Sequence, residues 1–180
     1  MAEHARSAMQ RHAMRRQLVH GVIGTRLGTE FPELRGLRLT SIDVTALKAW
    51  RETWADHPDR RCRWDWEVFG RMYRKHFARF ETAIWRDNVL AGLSIGRMSA
   101  SRQIVSVNFV EGAPHEGGLR GRVMMVVSEV AVGLGDYYGS RAIRFTEPNH
   151  WAQAKLAAMG YTYVAQQPGM RYSFDERILR

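Results

Sequence analysis

The sequence predicts an α/β domain of the α+β type, with a mixed, mostly antiparallel central sheet flanked by helices and a basic helix ahead of it. Three observations lead to this fold class. Segments with strand-like and helix-like patterns follow one another in the order strand, two helices, three strands, helix, strand, helix, two strands. The three consecutive strands are joined by short turns, as in an antiparallel meander. The length of 180 residues suits one domain with a short appendage.

The N-terminal segment, residues 1–35, is predicted to be a basic helix and a linker ahead of the domain at residues 36–180. Residues 3–20 carry a weak apolar stripe and many arginines; the stripe is Met9, Ala13, Leu18 and Val19. Residues 21–36 contain several glycines and Pro32 without a clear period, which indicates a linker. Three interpretations of the helix stay open: a solvated terminal helix, a contact with nucleic acid, or a contact with a second copy in a homodimer.

The first half of the predicted domain has one strand and two helices. Residues 36–40 alternate in polarity, as a strand does. A helix follows to about residue 55, where His57-Pro58 ends it, and its apolar positions are Val44, Leu47, Trp50 and Trp54. A second helix over residues 63–78 carries an aromatic stripe that we assign to the core, namely Trp66, Phe69, Tyr73 and Phe77.

The second half is predicted to alternate between strands and helices. Strands at 80–85 and 89–98 are joined by the hairpin signal Arg86-Asp87-Asn88, and a third strand follows at 103–110. A glycine-rich loop then leads into a helix at 119–138, whose apolar face is Val123, Val126, Val127, Val130 and Leu134. The remaining elements are a strand at 141–146, a helix from Pro148 to Gly160, and strands at 161–165 and 171–174.

Composition and charge narrow the function classes. The net charge is +9, and the excess is N-terminal, since residues 1–79 hold 16 Lys and Arg against 9 Asp and Glu. Such a basic balance favours an acidic partner, either nucleic acid, an acidic protein or the phosphates of a cofactor. Cys62 is the single cysteine, which excludes an internal disulfide and fits a cytoplasmic protein. We expect no metal site and no membrane span.

Two motifs resemble the GNAT acetyltransferase superfamily, and the resemblance covers roughly residues 36–175. The first motif is the stretch from Glu147 to Tyr161, in which an Asn follows a strand and Gly-Tyr closes the next helix. The second is the stretch from Gly117 to Met125, similar to the family's glycine-rich pyrophosphate loop and the helix behind it. The resemblance implies a mixed sheet that binds acetyl-CoA or another acyl-CoA.

The resemblance also implies which residues would hold the donor. The diphosphate would lie on the main chain of the glycine-rich loop and on the helix start, where free N–H groups and the helix dipole favour anions. The residues assigned to this site are Gly117, Gly118, Arg120, Gly121, Arg122 and Asn149. In the family the third strand of the meander separates from the next strand, and a backbone N–H there polarises the thioester carbonyl; Val110 is the position we assign to it. The simpler alternative is a surface turn that caps a core helix.

Candidate catalytic residues are Glu111, His115 and His150, each able to take a proton from an ammonium group. Each has a structural alternative. Glu111 would be a solvated carboxylate at a strand end, His115 an exposed loop residue, and Asn149 with His150 a helix cap. The single cysteine is a fourth candidate, because its arginine neighbours would lower the pKa of the Cys62 thiol, against the alternative of a plain loop residue.

The sequence departs from the family pattern in two places. If Gly121 is the last glycine of the loop, Leu119 replaces the earlier one and Glu116 replaces the leading Arg or Gln. Leu119 is expected to limit backbone approach to phosphate, and Glu116 to repel it. Leu156 takes the position of the family's proton-donating tyrosine, so that water or one of three other tyrosines would supply that proton, namely Tyr137, Tyr138 or Tyr161.

Three functions follow from these observations. The first is an acyl-CoA-dependent N-acyltransferase that acts on an amine of an unidentified, acidic or macromolecular acceptor. The second is a GNAT-like protein that modifies or binds nucleic acid, which the N-terminal charge favours. The third is a non-catalytic interaction module, which the missing tyrosine favours.

Overall fold

The computed structural model of the chain describes residues 2–114 and 119–179. Within those residues seven strands form one sheet in the order β1-β2-β3-β4-β5-β7-β6. All neighbouring strands are antiparallel except β4 and β5, which are parallel. The strands are β1 (Leu37–Thr40), β2 (Arg79–Arg86), β3 (Val89–Met98), β4 (Ile104–Gly112), β5 (Ala142–Thr146), β6 (Thr162–Val164) and β7 (Phe174–Ile178). The helices are α1 (Ala2–Glu30), α2 (Val44–Thr53), α3 (Trp66–Arg74), α4 (Val123–Tyr138) and α5 (His150–Ala158), with a 3-10 turn at Pro32–Leu34.

The predicted order of elements from β1 onward is confirmed. The hairpin between β2 and β3 turns at Asp87 and Asn88, which both have a positive φ, as a tight two-residue hairpin requires. The last strand is the exception: it was predicted at 171–174 and runs instead over Phe174–Ile178. It was missed because three of its five residues are charged, although it pairs with β5 on one side and β6 on the other.

The helices cover both faces of the sheet and give two cores. The larger core lies between the sheet and α1, α4 and α5, and it includes the predicted apolar face of α4. The smaller core lies on the opposite face under α2 and α3 and is largely aromatic. Trp66, Phe69 and Tyr73 belong to it as predicted, whereas Phe77 lies beyond the end of α3 and is exposed.

The linker predicted at residues 21–36 is wrong up to residue 30, because α1 continues without a break to Glu30. The predicted stripe is also wrong in part, since Met9 and Leu18 face solvent. The buried face of α1 repeats at helical spacing and mixes polar with apolar residues, namely His12, Arg16, Val19, His20, Ile23 and Leu27. Three of its six members are basic, so a hydrophobicity pattern does not reveal it.

Buried polar contacts fix α1 against the open edge of β2. Strand β1 pairs with β2 only from residue 83 onward, so the edge of β2 near Glu81 has no strand beside it. His20 Nε2 donates to the Glu81 carbonyl over 3.1 Å, and Arg16 Nη2 lies 3.2 Å from the Glu81 carboxylate. Helix α1 therefore covers a sheet edge that would otherwise be exposed, and part of its charge is used inside the fold.

Two features that the described residues lack bear on function. Among the described residues, no helix combines the length and the apolarity needed to cross a membrane. The same residues contain no cluster of three or more His, Cys, Asp or Glu side chains able to hold a metal ion.

Candidate functional site

Strands β4 and β5 separate to form a fork. They pair only from Ile104–Ala142 to Val107–Phe145, whereas β4 stays paired with β3 as far as Gly112. A bulge in β4 coincides with the separation, because Phe109 pairs with Ile95 and Val107 with Gly96, which leaves Asn108 without a register partner on β3. The last part of β4 therefore has an open side towards β5.

The backbone N–H of Val110 points into this fork. Ala113 N–H donates to Ala91 O on β3. Consecutive residues of a strand direct their N–H groups to opposite sides, so Val110, three residues earlier, directs its N–H away from β3. The predicted position of Val110 thus has the orientation that contact with a ligand in the fork requires.

The N-terminus of α4 lies against the end of β4. A Cβ added at Gly112 would lie 3.4 Å from the Val123 side chain, and one added at Gly92 would lie 3.0 Å from it. Glycine at these two positions lets the helix start approach the fork closely. The loop that joins β4 to α4 consequently begins and ends beside the open side of β4.

Helix α4 begins without a side-chain cap. Helices α2, α3 and α5 are capped by Asp43, Asp65 and Asn149, whose side chains accept first-turn N–H groups. The N-cap residue of α4 is Arg122, which makes no such bond. The N–H groups of the first turn have no partner within the helix, so this N-terminus is suited to an anion.

Basic side chains surround that helix start. Arg120 is exposed, Arg122 pairs with Glu33 at 2.6 Å, and Lys155 Nζ donates to Gly121 O over 3.4 Å. Gly121 has a φ of 79°, a conformation that other residues rarely adopt. His115, Glu116, Gly117 and Gly118 lie outside the described residues.

Leu119 does not obstruct the loop as the sequence suggested. Its side chain is buried in the larger core, on the side of the loop that faces the protein. Leu119 therefore anchors the loop at the position where the resemblance implied a glycine.

Glu111 is buried at the end of β4 and bound by three donors. Arg60 Nε and Nη2 donate to its two carboxylate oxygens over 2.6 and 3.0 Å, and Trp66 Nε1 donates over 2.6 Å. The side chain is only 3% exposed. It joins β4 to the loop between α2 and α3, so the geometry favours a structural role and leaves no access to a substrate amine.

Asn149 and His150 begin α5, close to the end of β5. Asn149 Oδ1 accepts from Ala152 N–H over 2.9 Å, which is the helix cap considered for it, and its Nδ2 donates to none of the described residues. His150 is exposed. The next residue, Trp151, lies under the Arg61 guanidinium at 5.7 Å, so the loop that holds Glu111 also reaches α5.

Sequence analysis missed Asn108 and Thr146, which meet where the fork opens. Asn108 Nδ2 donates to Thr146 Oγ1 over 3.1 Å, and Asn108 Oδ1 is buried with no partner among the described residues. Both are ordinary polar positions of predicted strands. The bulge that brings them together has no sequence signal.

Comparison with known proteins finds similar structures but no similar sequence. No family model matches the chain, and no curated protein matches its sequence. Among solved structures, Ard1 from Thermoplasma volcanium is similar with a TM-score of 0.60 and 10% identity, over 81% of this chain and 99% of that chain. YncA from Salmonella typhimurium, solved with its cofactor acetyl-CoA, has a TM-score of 0.56 and 15% identity over 81% and 95%. An acetyltransferase of the GNAT family from Streptococcus pneumoniae has a TM-score of 0.55 and 12% identity over 80% and 99%.

The chain has the GNAT fold. Helix α1 precedes the first strand, and β4 and β5 are the one parallel pair in the described sheet. The fork and the uncapped start of α4 lie on either side of the loop between β4 and α4. The fold prediction is thereby confirmed.

The tyrosines considered as proton donors are either buried in the core or at the far end of α4. Tyr161 is buried, its hydroxyl lies 2.9 Å from Ser128 Oγ, and burial raises its pKa to about 12. Tyr137 and Tyr138 end α4, at the opposite end from its N-terminus. Leu156 is fully buried in the larger core. These placements favour water over a tyrosine as the source of that proton.

The pKa of the Cys62 thiol is raised, whereas the sequence led us to expect a lowered pKa. Burial raises the pKa of the Cys62 thiol, and the Glu111 carboxylate adds to that effect, against the weaker opposing effect of Arg60 and Arg61. A thiol with a raised pKa is a poor nucleophile at neutral pH. The plain loop residue is thus the better description.

Proposed function

We propose that the chain is an acyl-CoA-dependent N-acyltransferase whose donor is acetyl-CoA or another acyl-CoA. One observation carries the proposal: an uncapped helix start with basic side chains adjoins a strand fork into which a backbone N–H points. An anion and an extended acyl chain need these two features side by side. The solved YncA structure, which has a similar fold, holds acetyl-CoA.

The donor's phosphates are assigned to the start of α4. The N–H groups of its first turn and the main chain at Gly121 would bind the diphosphate, together with Gly117 and Gly118. Arg120 and Arg122 would add charge-assisted contacts. Arg122 already pairs with Glu33, so Arg120 is the side chain with the larger expected effect. Asn149 Nδ2 is assigned to the donor from the other side of the fork.

The proposed reaction forms an amide. The nitrogen of a neutral amine attacks the carbonyl carbon of the thioester, a C–N bond forms and the C–S bond breaks. The nitrogen gives up one proton to water, and coenzyme A leaves as its thiol after gaining one proton from water. Val110 N–H would stabilise the negative charge that develops on the carbonyl oxygen. His150 is proposed to take the proton that the ammonium form of the acceptor must lose. Glu111 keeps the end of β4 in place.

Calorimetry with acetyl-CoA tests the proposal. The wild-type chain should bind acetyl-CoA, and Arg120→Gln should weaken binding roughly fivefold, the effect of about 1 kcal/mol. Arg6→Gln, which removes an exposed charge from α1, is the matched control and should leave binding unchanged. No heat of binding at millimolar acetyl-CoA would overturn the proposal.

A further inference from the structure

A row of arginines crosses the sheet just below the fork. In the strand registers Arg79 of β2 pairs with Arg97 of β3, Arg97 with Ser106 of β4, and Ser106 with Arg144 of β5. Paired residues of neighbouring strands point to the same face of a sheet. Three arginines and one serine therefore lie side by side on one face.

Arg97 is the arginine of this row that lacks a counter-charge. Arg79 Nη2 lies 2.9 Å from a Glu81 carboxylate oxygen, and Arg144 Nε lies 2.6 Å from Glu176 Oε1. Arg97, between them, makes no ion pair with any described residue and is exposed. An unpaired guanidinium flanked by two others is suited to an anion from outside the chain.

Three members of the row, Arg97, Ser106 and Arg144, line an open cleft of about 510 Å³. Its walls are His76, Arg97, Met98, Ser99, Ala100, Ile104, Ser106 and Arg144. Burial, and next the charges of Lys75 and Arg97, lower the pKa of His76. This face of the sheet is opposite to α4, because Val105 and Val107, on either side of Ser106, are buried in the core under α4.

The cleft adjoins the fork. Ser106 and Arg144 lie two residues before Asn108 and Thr146 on the same two strands. Two residues of a strand span roughly 7 Å, and the Val110 N–H lies two residues further along β4. Val110 is therefore roughly 13 Å along the strand from Ser106, the register partner of Arg97. Because the long Arg97 side chain can lean along the strand, a group bound by its guanidinium would be roughly 6 to 10 Å from an amine positioned at the fork.

We propose that this cleft binds a carboxylate or another anionic group of the acceptor, so that the acceptor is an amine with an anion a few bonds away. The inference rests on the proposed N-acyltransferase function and deepens it by naming the acceptor class. Arg97 supplies the unpaired charge, and Ser106 and His76 supply hydrogen bonds beside it. The amine then reaches the fork past Asn108, whose Oδ1 has an unused acceptor site.

Matched acceptors test the assignment. Thiol release from acetyl-CoA would be measured with ε-aminocaproate, with hexylamine, which has the same chain without the carboxylate, and with glycine, whose two groups are too close together. We expect kcat/KM for ε-aminocaproate to exceed that for hexylamine about tenfold, the effect of one charge-assisted pair. Glycine should be the poorest acceptor.

Variants of Arg97 complete the test. Arg97→Gln should reduce the ratio of the two kcat/KM values to about threefold or less, with acetyl-CoA affinity unchanged. Arg97→Lys should keep part of the preference for ε-aminocaproate. Arg86→Gln, which replaces an arginine at the far end of β2, should leave the ratio of the two kcat/KM values unchanged. An unaltered urea midpoint would show that the exposed substitution leaves the fold intact.

The outcomes separate this inference from the function on which it rests. A chain that does not bind acetyl-CoA fails the proposed function itself. Any of three results in a chain that binds acetyl-CoA would overturn the cleft assignment. They are equal kcat/KM values for hexylamine and ε-aminocaproate, an unchanged preference for ε-aminocaproate in Arg97→Gln, and no thiol release with either amine.

Discussion

Asn108 and Thr146 are joined by a hydrogen bond of 3.1 Å at the point where β4 and β5 stop pairing. The last backbone pair of these strands is Val107 with Phe145. Beyond it the side-chain bond is the contact that ties the two strands together, and the bulge at Asn108 allows β4 to turn away from β5. The width of the fork thus depends on one amide and one hydroxyl.

Thr146→Val should loosen the fork at little cost to the fold. The substitution keeps the β-branched shape and removes Oγ1, so the free energy of unfolding should fall by about 1 kcal/mol. Because Asn108 then loses the one side-chain partner that it has among the described residues, we expect kcat/KM for acyl transfer to fall by about tenfold. Urea unfolding and a thiol-release assay measure the two effects.

Thr162→Val is the matched control for that substitution. Thr162 is an exposed residue of β6, and its replacement should change neither quantity. Equal losses of activity in the two variants would show that the bond between Asn108 and Thr146 has no special role.

Arg16→Met should destabilise the protein strongly. Arg16 and Glu81 are 4% and 3% exposed and form a buried ion pair between α1 and β2. Removal of Arg16 leaves the buried Glu81 carboxylate with Arg79 Nη2, at 2.9 Å, as its remaining partner, and the expected loss is about 2 kcal/mol in the free energy of unfolding. Lys48→Met, which removes one half of an exposed pair with Glu52, should cost less than about 0.5 kcal/mol. If the two variants unfold at the same urea concentration, α1 is not fixed by this pair.

Most of the fold from β1 to β6 could be predicted from the sequence, because each of those elements has a clear apolar period. Helix α1 could not be followed to its end, since its buried face contains three basic residues and its glycines resemble a linker. Gly24 shows why such a glycine suits a helix here: a Cβ at that position would lie 3.6 Å from Leu39 on β1. Close packing between helix and strand is a tertiary property that a local pattern does not contain.

The candidate site was predicted less completely. Val110, Gly121 and Arg120 lie at the ends of predicted elements, and their contact with a donor stays a prediction. The burial of Glu111 could not be predicted, since its partners Arg60 and Trp66 are about fifty residues away in sequence. Such a long-range pairing becomes visible only when the loop between α2 and α3 is seen to pack on β4.

The stability of the protein should fall in mild acid because of His20. Burial lowers the pKa of His20 to about 4, against 6.5 for a free histidine. Between these values the unfolded chain binds a proton that the native chain does not, so stability is full above pH 6.5 and is lost as the pH falls towards 4. The loss attributable to His20 is roughly 3 kcal/mol.

His20→Gln isolates this contribution. Glutamine keeps a donor for the Glu81 carbonyl but does not titrate. Urea unfolding of wild type and variant at several pH values should show curves that converge as the pH falls towards 4. A constant difference between them would mean that His20 takes up its proton equally well in the native state.

His150→Gln tests the proposed base. If His150 removes the acceptor's proton, kcat/KM should fall by about 100-fold at neutral pH, the usual effect of losing a general base, and the dependence of the rate on pH should flatten. Acetyl-CoA affinity should not change, which calorimetry would check. Glu147, exposed at the end of β5, is the natural comparison: a large loss in Glu147→Gln with none in His150→Gln would transfer the role to Glu147.

Alanine substitutions at Gly121 and Gly139 separate an effect on acetyl-CoA binding from an effect on stability. Gly121 and Gly139 have φ values of 79° and 66°, and they precede and follow α4. Alanine at either position should cost about 1 kcal/mol of folding free energy, because an L side chain is strained in this region. Only Gly121→Ala should also weaken acetyl-CoA binding, by about tenfold, since Gly121 sets the direction of the main chain at the uncapped helix start. Calorimetry on both variants, with urea unfolding as the measure of strain, decides the matter: equal acetyl-CoA affinities would remove the start of α4 from the proposed donor site.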